Sequence, residues 1–294
     1  MDKEYLIRER PIKALLAFAF PMIVGNLFQQ FYTMADSMIV GRFVGEDALA
    51  AVGASYSLTT VFISIAIGGG VGASVLTSQH FGARSYQRMR ISIDTALVSF
   101  LALSLLLAGI GLGFGSQILH LLNTPENIMA DAQVYLRIYF LGLPFLFMYN
   151  VLSSIFNSLG KSKIPLYLLI FSSVLNIFLD YVLVRFAHLA VAGVAWATLI
   201  AQGFSALLSF FILMWQLREY RKSEELVCFE WAELGRMARV ALPSILQQST
   251  VSIGMMLVQS VVNGFGSQVL AGYTAASRLE SFCIVPMAAM GNAI

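Results

Sequence analysis

Two aspartates, Asp36 and Asp180, lie inside long apolar runs. An ionisable side chain within hydrocarbon costs about 2.5–3.5 kcal/mol on insertion scales, so such residues mark a partner or a function. Asn176 precedes Asp180 by four positions, which puts both on one helix face. Thr198 and Tyr135 stand in neighbouring apolar runs. A helix rises about 1.5 Å per residue, and counting from the expected helix starts sets Asp36, Asp180, Thr198 and Tyr135 in one half of a bundle. Oxygens from Asp36, Asn176, Asp180 and Thr198 suit a hard cation such as Na+, or a shared proton. Two carboxylates held close together resist double ionisation and titrate as a pair. The competing reading is a hydrogen-bonded cluster that only fastens helices.

Other polar residues divide into structural and functional candidates. Asp94 follows Arg90 by four and reads as a helix-start ion pair. Arg278 and Glu280 lie in the last apolar run and are ambiguous. Gln29, Gln30, Asn150 and Asn157, set among Phe28, Phe31, Tyr32, Phe145, Phe147 and Met148, could line a loose pocket for bulky amphiphiles. Core packing is the alternative for each of them. Pro21, with Gly25 beyond it, breaks the helical hydrogen-bond ladder and kinks its helix. The kink is either static or a hinge that moves when Asp36 changes charge. Gly68-Gly69-Gly70-Val71-Gly72-Ala73-Ser74 lacks the Gly-Lys-Ser/Thr ending of a phosphate loop and reads as close helix packing.

Enzyme signatures are absent. The chain has no HExxH, GxSxG, CxxC or Walker motif, and neither aspartate stands in a Gly-x-Gly-Asp setting. No catalysis and no cofactor are expected. Cys228 and Cys283 sit in unlike surroundings and read as unpaired thiols.

The elements that hold these residues follow from composition. Of 294 residues, 58% are apolar and 12% charged, with a mean hydropathy of +0.78. Soluble proteins carry about 25% charged residues, so this is an all-α polytopic membrane protein. Runs such as Val98 to Leu112 lack the alternation of a barrel strand. Eight spans are expected, at 12–36, 48–78, 91–115, 129–155, 164–186, 190–215, 237–263 and 269–294. Lys and Arg cluster in alternate loops. Lys3, Arg8, Arg10, Lys13, Arg84, Arg88, Arg90, Lys161, Lys163, Arg218, Arg221, Lys222, Arg236 and Arg239 fall on one side, against Arg42 and Arg185 on the other. That asymmetry puts the N-terminus in the cytoplasm. The net charge of +2 gives nucleic acid no basic face to bind.

The charged stretch 216–236 divides the chain into a six-helix lobe, 1–215, and the start of a second lobe, 237–294. The second repeats the first. Ala19-Phe20-Pro21-Met22-Ile23 faces Ala241-Leu242-Pro243-Ser244-Ile245, then Gly45-x-x-x-Leu49-Ala50 faces Gly266-x-x-x-Leu270-Ala271, and Gly70 faces Gly291. Six helices per unit keep the orientation, which implies parallel repeats. A full second unit would bring the total to about twelve spans. The chain ends within its eighth run, so the second lobe reads as incomplete and the chain alone is not expected to transport.

Ala19-Phe20-Pro21, Ala35-Asp36-x-x-Ile39-Val40-Gly41, Gly45-x-x-Ala48-Leu49-Ala50-Ala51, Phe156-Asn157-Ser158-Leu159-Gly160 and Ala241-Leu242-Pro243 together resemble the multidrug and toxic compound extrusion (MATE) family. Asn176-x-x-x-Asp180 with Thr198 and Tyr135 resembles its DinF-type branch. The resemblance implies a two-lobed, twelve-helix antiporter of the cell membrane. It would act as a monomer and expel amphiphilic, often cationic compounds as H+ or Na+ enters. It implies a cation site at Asp36, Asn176, Asp180 and Thr198, with Tyr135 in its network. The glutamate that another branch places early in the seventh span is absent from Gln247-Gln248-Ser249-Thr250-Val251-Ser252. A lipid-linked precursor flippase of the same wider superfamily is the alternative. Such a protein would need several cationic cavity residues, where this bundle offers only Arg137.

Overall fold

Backbone amides in hydrocarbon have no water to bond, so each apolar run must satisfy them internally as a helix. The protein, seen as a computed structural model, is described over residues 11–121, 126–187, 189–218 and 229–263, and at 280, 284 and 287. Helix α1 (Pro11–Ile39) runs into a π segment (Val40–Val44). Then come α2 (Glu46–Gly82), α3 (Tyr86–Leu121), α4 (Glu126–Ser158), α5 (Lys163–Arg185), α6 (Ala190–Leu217) and α7 (Trp231–Asn263). There is no strand among the described residues. Leu58–Gly82, Tyr86–His120, Ile128–Ser158, Lys163–Arg185 and Ala190–Leu217 are each long and apolar enough to cross a bilayer. The first seven expected spans match helices. The eighth, 269–294, lies outside the described residues apart from three positions.

Most helices outrun the expected spans. Helix α3 covers Tyr86–Leu121 rather than 91–115, and α7 begins at Trp231 rather than 237. Hydropathy registers the hydrocarbon-crossing part only, while polar turns at either end continue the same helix. Arg90 and Asp94 form the expected i,i+4 pair, with Nε to Oδ2 at 3.7 Å. Helix α4 closes through Gly160, whose φ of 72° suits a residue without Cβ. The Lys161 amide there donates to Phe156 O at 2.9 Å.

Helix α4 is the centre, packed on α2, α3 and α6, and it contributes the fully buried Phe140, Phe147 and Phe156. Helix α6 leans on α5, α5 carries α1, and α7 lies along α2. The glycine run of α2 serves close packing, as expected. A Cβ on Gly68 would lie 2.7 Å from Ile245 Cα of α7, and one on Gly69 would lie 2.8 Å from Phe100 Cζ of α3. Pro21, Pro144 and Pro243 each fall inside a continuous helix, α1, α4 and α7 respectively.

Candidate functional site

Four helices meet around the aspartates. Asp36 comes from the end of α1, Tyr135 from α4, Asn176 and Asp180 from α5, and Thr198 from α6. Their placement follows from helix periodicity. Asp180 lies about 26 Å along α5 from Lys163, and Thr198 about 12 Å into the antiparallel α6, so the two face each other at one depth.

Asp180 is 0% exposed and Asn176 1%. Oriented by its neighbours, the Asn176 amide donates from Nδ2 to Asp180 Oδ2 at 2.9 Å. Its Oδ1 accepts from Thr198 Oγ1 at 3.3 Å and from the Thr198 backbone N at 3.2 Å. Asp36 and Asp180 are within side-chain hydrogen-bonding reach of each other. Yet Asp36 Oδ1 and Asp180 Oδ1 are both buried without a donor. Ionised carboxylates only accept hydrogen bonds. Two such groups in contact therefore need a proton or a cation between them, since among the described residues no lysine or arginine acts on either carboxyl.

Tyr32 was not among the expected site residues. Its side chain lies within hydrogen-bonding reach of Thr198 and beside Asp36, Asp180 and Tyr135. The available signal was its spacing, four residues before Asp36 on the same face of α1. Tyr135 stands close to both carboxylates and also packs against an apolar cap of Val40, Ala48, Val184, Val191 and Val194. That cap covers the end of the site nearest the π segment. Between α4 and α6 a narrow crevice lined by Tyr135, Tyr139, Gly142, Ala195, Thr198, Leu199 and Gln202 reaches the network from the side.

The four amides expected along a substrate path are not gathered. Gln29 and Gln30 lie about 27 Å along α1, whereas Asn150 and Asn157 lie within about 12 Å of the opposite, basic end of the bundle. Gln29 is exposed, and Asn150 Nδ2 is spent on its own helix at Leu146 O, 2.8 Å away. Asn157 Oδ1 is buried without a partner. Pro21 is buried on α1, and one turn on Gly25 faces Leu166 and Leu169 of α5, so the proline sits close to the helix that carries Asp180. Arg137 lies apart from the carboxylates, lining a cavity of about 250 Å³ with Gln133, Ser116 and glycines of α3. Arg278 lies outside the described residues. Among the described residues no three of His, Cys, Asp and Glu come together as a metal site.

A buried carboxyl pair at a four-helix junction in a multi-pass bundle is costly unless its charge is neutralised. The MatE family model matches residues 21–182, and the chain belongs to that family of transporters. The chain is 31% identical over 296 residues to the probable multidrug resistance protein YpnP of Bacillus subtilis (strain 168). That match covers 96% of this chain and 63% of the relative. It is 32% identical to the probable multidrug resistance protein YoeA of the same strain, over 96% of this chain and 62% of the relative. A solved crystal structure of MATE in the straight conformation superposes with a TM-score of 0.90 at 27% identity, covering all of this chain and 66% of that one. The chain thus spans just under two thirds of the length of these relatives.

Proposed function

We propose that this chain belongs to a secondary active exporter of the cell membrane. It moves small amphiphilic or cationic compounds outward in exchange for H+ or Na+, by alternating access between a six-helix lobe, 1–215, and a second lobe that begins with α7. The basic end of the bundle is cytoplasmic and the carboxylate site lies toward the outside. The complete transporter works as a monomer in the lipid bilayer and needs no cofactor beyond its coupling ion.

The reading rests on one observation, the buried Asp36–Asp180 pair with two orphan oxygens. Such a pair has an affinity for positive charge that changes as the surrounding helices move, which is what coupling requires. The orientation of the Asn176 amide distinguishes the two ions. With Nδ2 turned to Asp180, the group beside the carboxylate is a donor, which repels a metal ion. A sodium ion held by Asp36, Asn176, Asp180 and Thr198 needs the other amide orientation, in which Nδ2 faces Thr198 Oγ1 at 3.3 Å. The two ions therefore correspond to two rotations of one amide, with the DinF-type site shared between them.

The test is transport in inverted membrane vesicles holding the full-length gene product. A pH gradient without sodium is expected to drive uptake of a cationic dye. Uptake driven by sodium alone would reverse the ion preference while keeping the site. Uptake indifferent to both gradients would overturn the antiport reading.

A further inference from the structure

A second group of charged residues sits at the opposite, basic end of the bundle, where α7 meets α2 and α3. Glu233, in the first turn of α7, is 0% exposed. Its carboxylate accepts from Arg236 Nη1 at 2.9 Å, lies 3.4 Å from His80 Nε2 of α2, and is 3.8 Å from Arg88 Nη1 of α3. The same Arg88 nitrogen reaches both oxygens of Glu230, at 3.3 and 3.2 Å. The Glu230 backbone N–H donates to Thr95 Oγ1 of α3 at 3.1 Å. Three side chains from two helices of the bundle thus hold one turn of α7.

The contact continues inward along a single face of α2. Gly72, Gly68 and Ser64 are spaced by four. A Cβ on Gly72 would lie 2.6 Å from Met237 O and 2.9 Å from Ala241 Cβ, and Ser64 Oγ lies 3.2 Å from Ser252 Oγ. From Glu233 to Ser252 the two helices touch over about 29 Å, starting at the basic end. Past that point Val258 and Val261 of α7 are exposed.

We propose that His80, Arg88, Glu230 and Glu233 are a latch that closes the basic-end mouth between the six-helix bundle and α7, and that it opens in the transport cycle. The chemistry suits a joint that must part. Every latch group is charged or polar and regains hydrogen bonds from water once exposed, so separation leaves nothing unpaired. Below the latch the joint combines close approach at Gly68 and Gly72 with the buried Met237 of α7, so the charged groups are confined to its mouth. The carboxylates are needed for closure, because without them Arg88, Arg236 and His80 would face one another at short range. The role as a gate rests on the alternating-access reading, while the physical coupling of latch to helix separation does not.

The experiment uses the full-length gene product in nanodiscs, with Cys228 and Cys283 replaced by serine and spin labels at Gln87 of α3 and Trp231 of α7, both exposed. Pulsed-dipolar distances are expected to show a dominant short population and a minor long one. Glu230→Gln should raise the long population several-fold, and Arg88→Glu should raise it further. The charge swap Arg88→Glu with Glu230→Arg should return part of it. Glu230 and Arg88 are surface-accessible, so these variants are expected to fold even if Glu233→Gln does not. A distance distribution unchanged by Glu230→Gln and Arg88→Glu would overturn the latch. If distances respond but no variant or wild type exports any compound, the latch stands and the transport reading fails. Export lost without any change in distance would refute the latch alone.

Discussion

Replacing Asn176 by alanine should unsettle the carboxylate site by an amount the geometry allows to be worked out. The truncation removes the 2.9 Å bond to Asp180 Oδ2 and both contacts with Thr198. Asp180 is fully buried, so its oxygen finds no water in exchange. An orphaned buried acceptor costs about 1–3 kcal/mol in water-soluble proteins. Measured interhelical hydrogen bonds in membranes average about 0.6 kcal/mol and reach about 1.7, because the reference state also finds partners. Asn176→Ala is therefore expected to lose about 1–2 kcal/mol, and Thr198→Val, which keeps the shape and deletes one hydroxyl, about 0.6 kcal/mol. Because the two residues share a bond, the double variant should lose less than the sum, by about 0.5 kcal/mol or more. Denaturation in mixed micelles by sodium dodecyl sulfate, followed by tryptophan fluorescence, gives all four corners of the cycle. Strict additivity, or an Asn176→Ala protein as stable as wild type, would refute the network.

Asp36→Asn should abolish export at matched membrane levels; drug resistance equal to wild type would remove Asp36 from coupling. Tyr32→Phe deletes the hydroxyl that meets Thr198 and should lower export with little change in stability, as read by parallel resistance and denaturation assays. Gly111→Ala places a Cβ 2.6 Å from Phe140 Cγ and should destabilise by about 1–3 kcal/mol. Gly113→Ala, two residues on, meets nothing within 4 Å and should be neutral or stabilising by up to about 1 kcal/mol. Melting in detergent compares this pair directly. Pro21→Ala restores the missing helical bond and should leave the protein folded but reduce export; undiminished export would show the kink to be static.

The sequence announced what depends on local composition and missed what depends on partners. Hydropathy alone located seven helices, and the four-residue spacing placed Asn176 beside Asp180. Tyr32 escaped because a tyrosine in an apolar run looks like core until Thr198 arrives from another helix. Glu230 and Glu233 read from sequence as part of the charged stretch 216–236, where nothing says that His80 and Arg88 wait on α2 and α3. The π segment was equally silent, as Val40-Gly41-Arg42-Phe43-Val44 carries no marker for a wider turn.

The pairing of α1 with α5 bears on how the chain is made. The helix that carries Asp36 leaves the ribosome well before α5, the helix against which it packs. Synthesis at about 5–20 residues per second leaves roughly 7–30 s between the two aspartates. Throughout that interval α1 has neither Asn176 nor Thr198 nearby, and its carboxyl and amides must wait in the lateral gate of the insertion machinery, near the headgroups or beside an assisting protein. Packing of α1 therefore depends on a helix made much later, and a mutation on α5 can undo a helix that was finished long before.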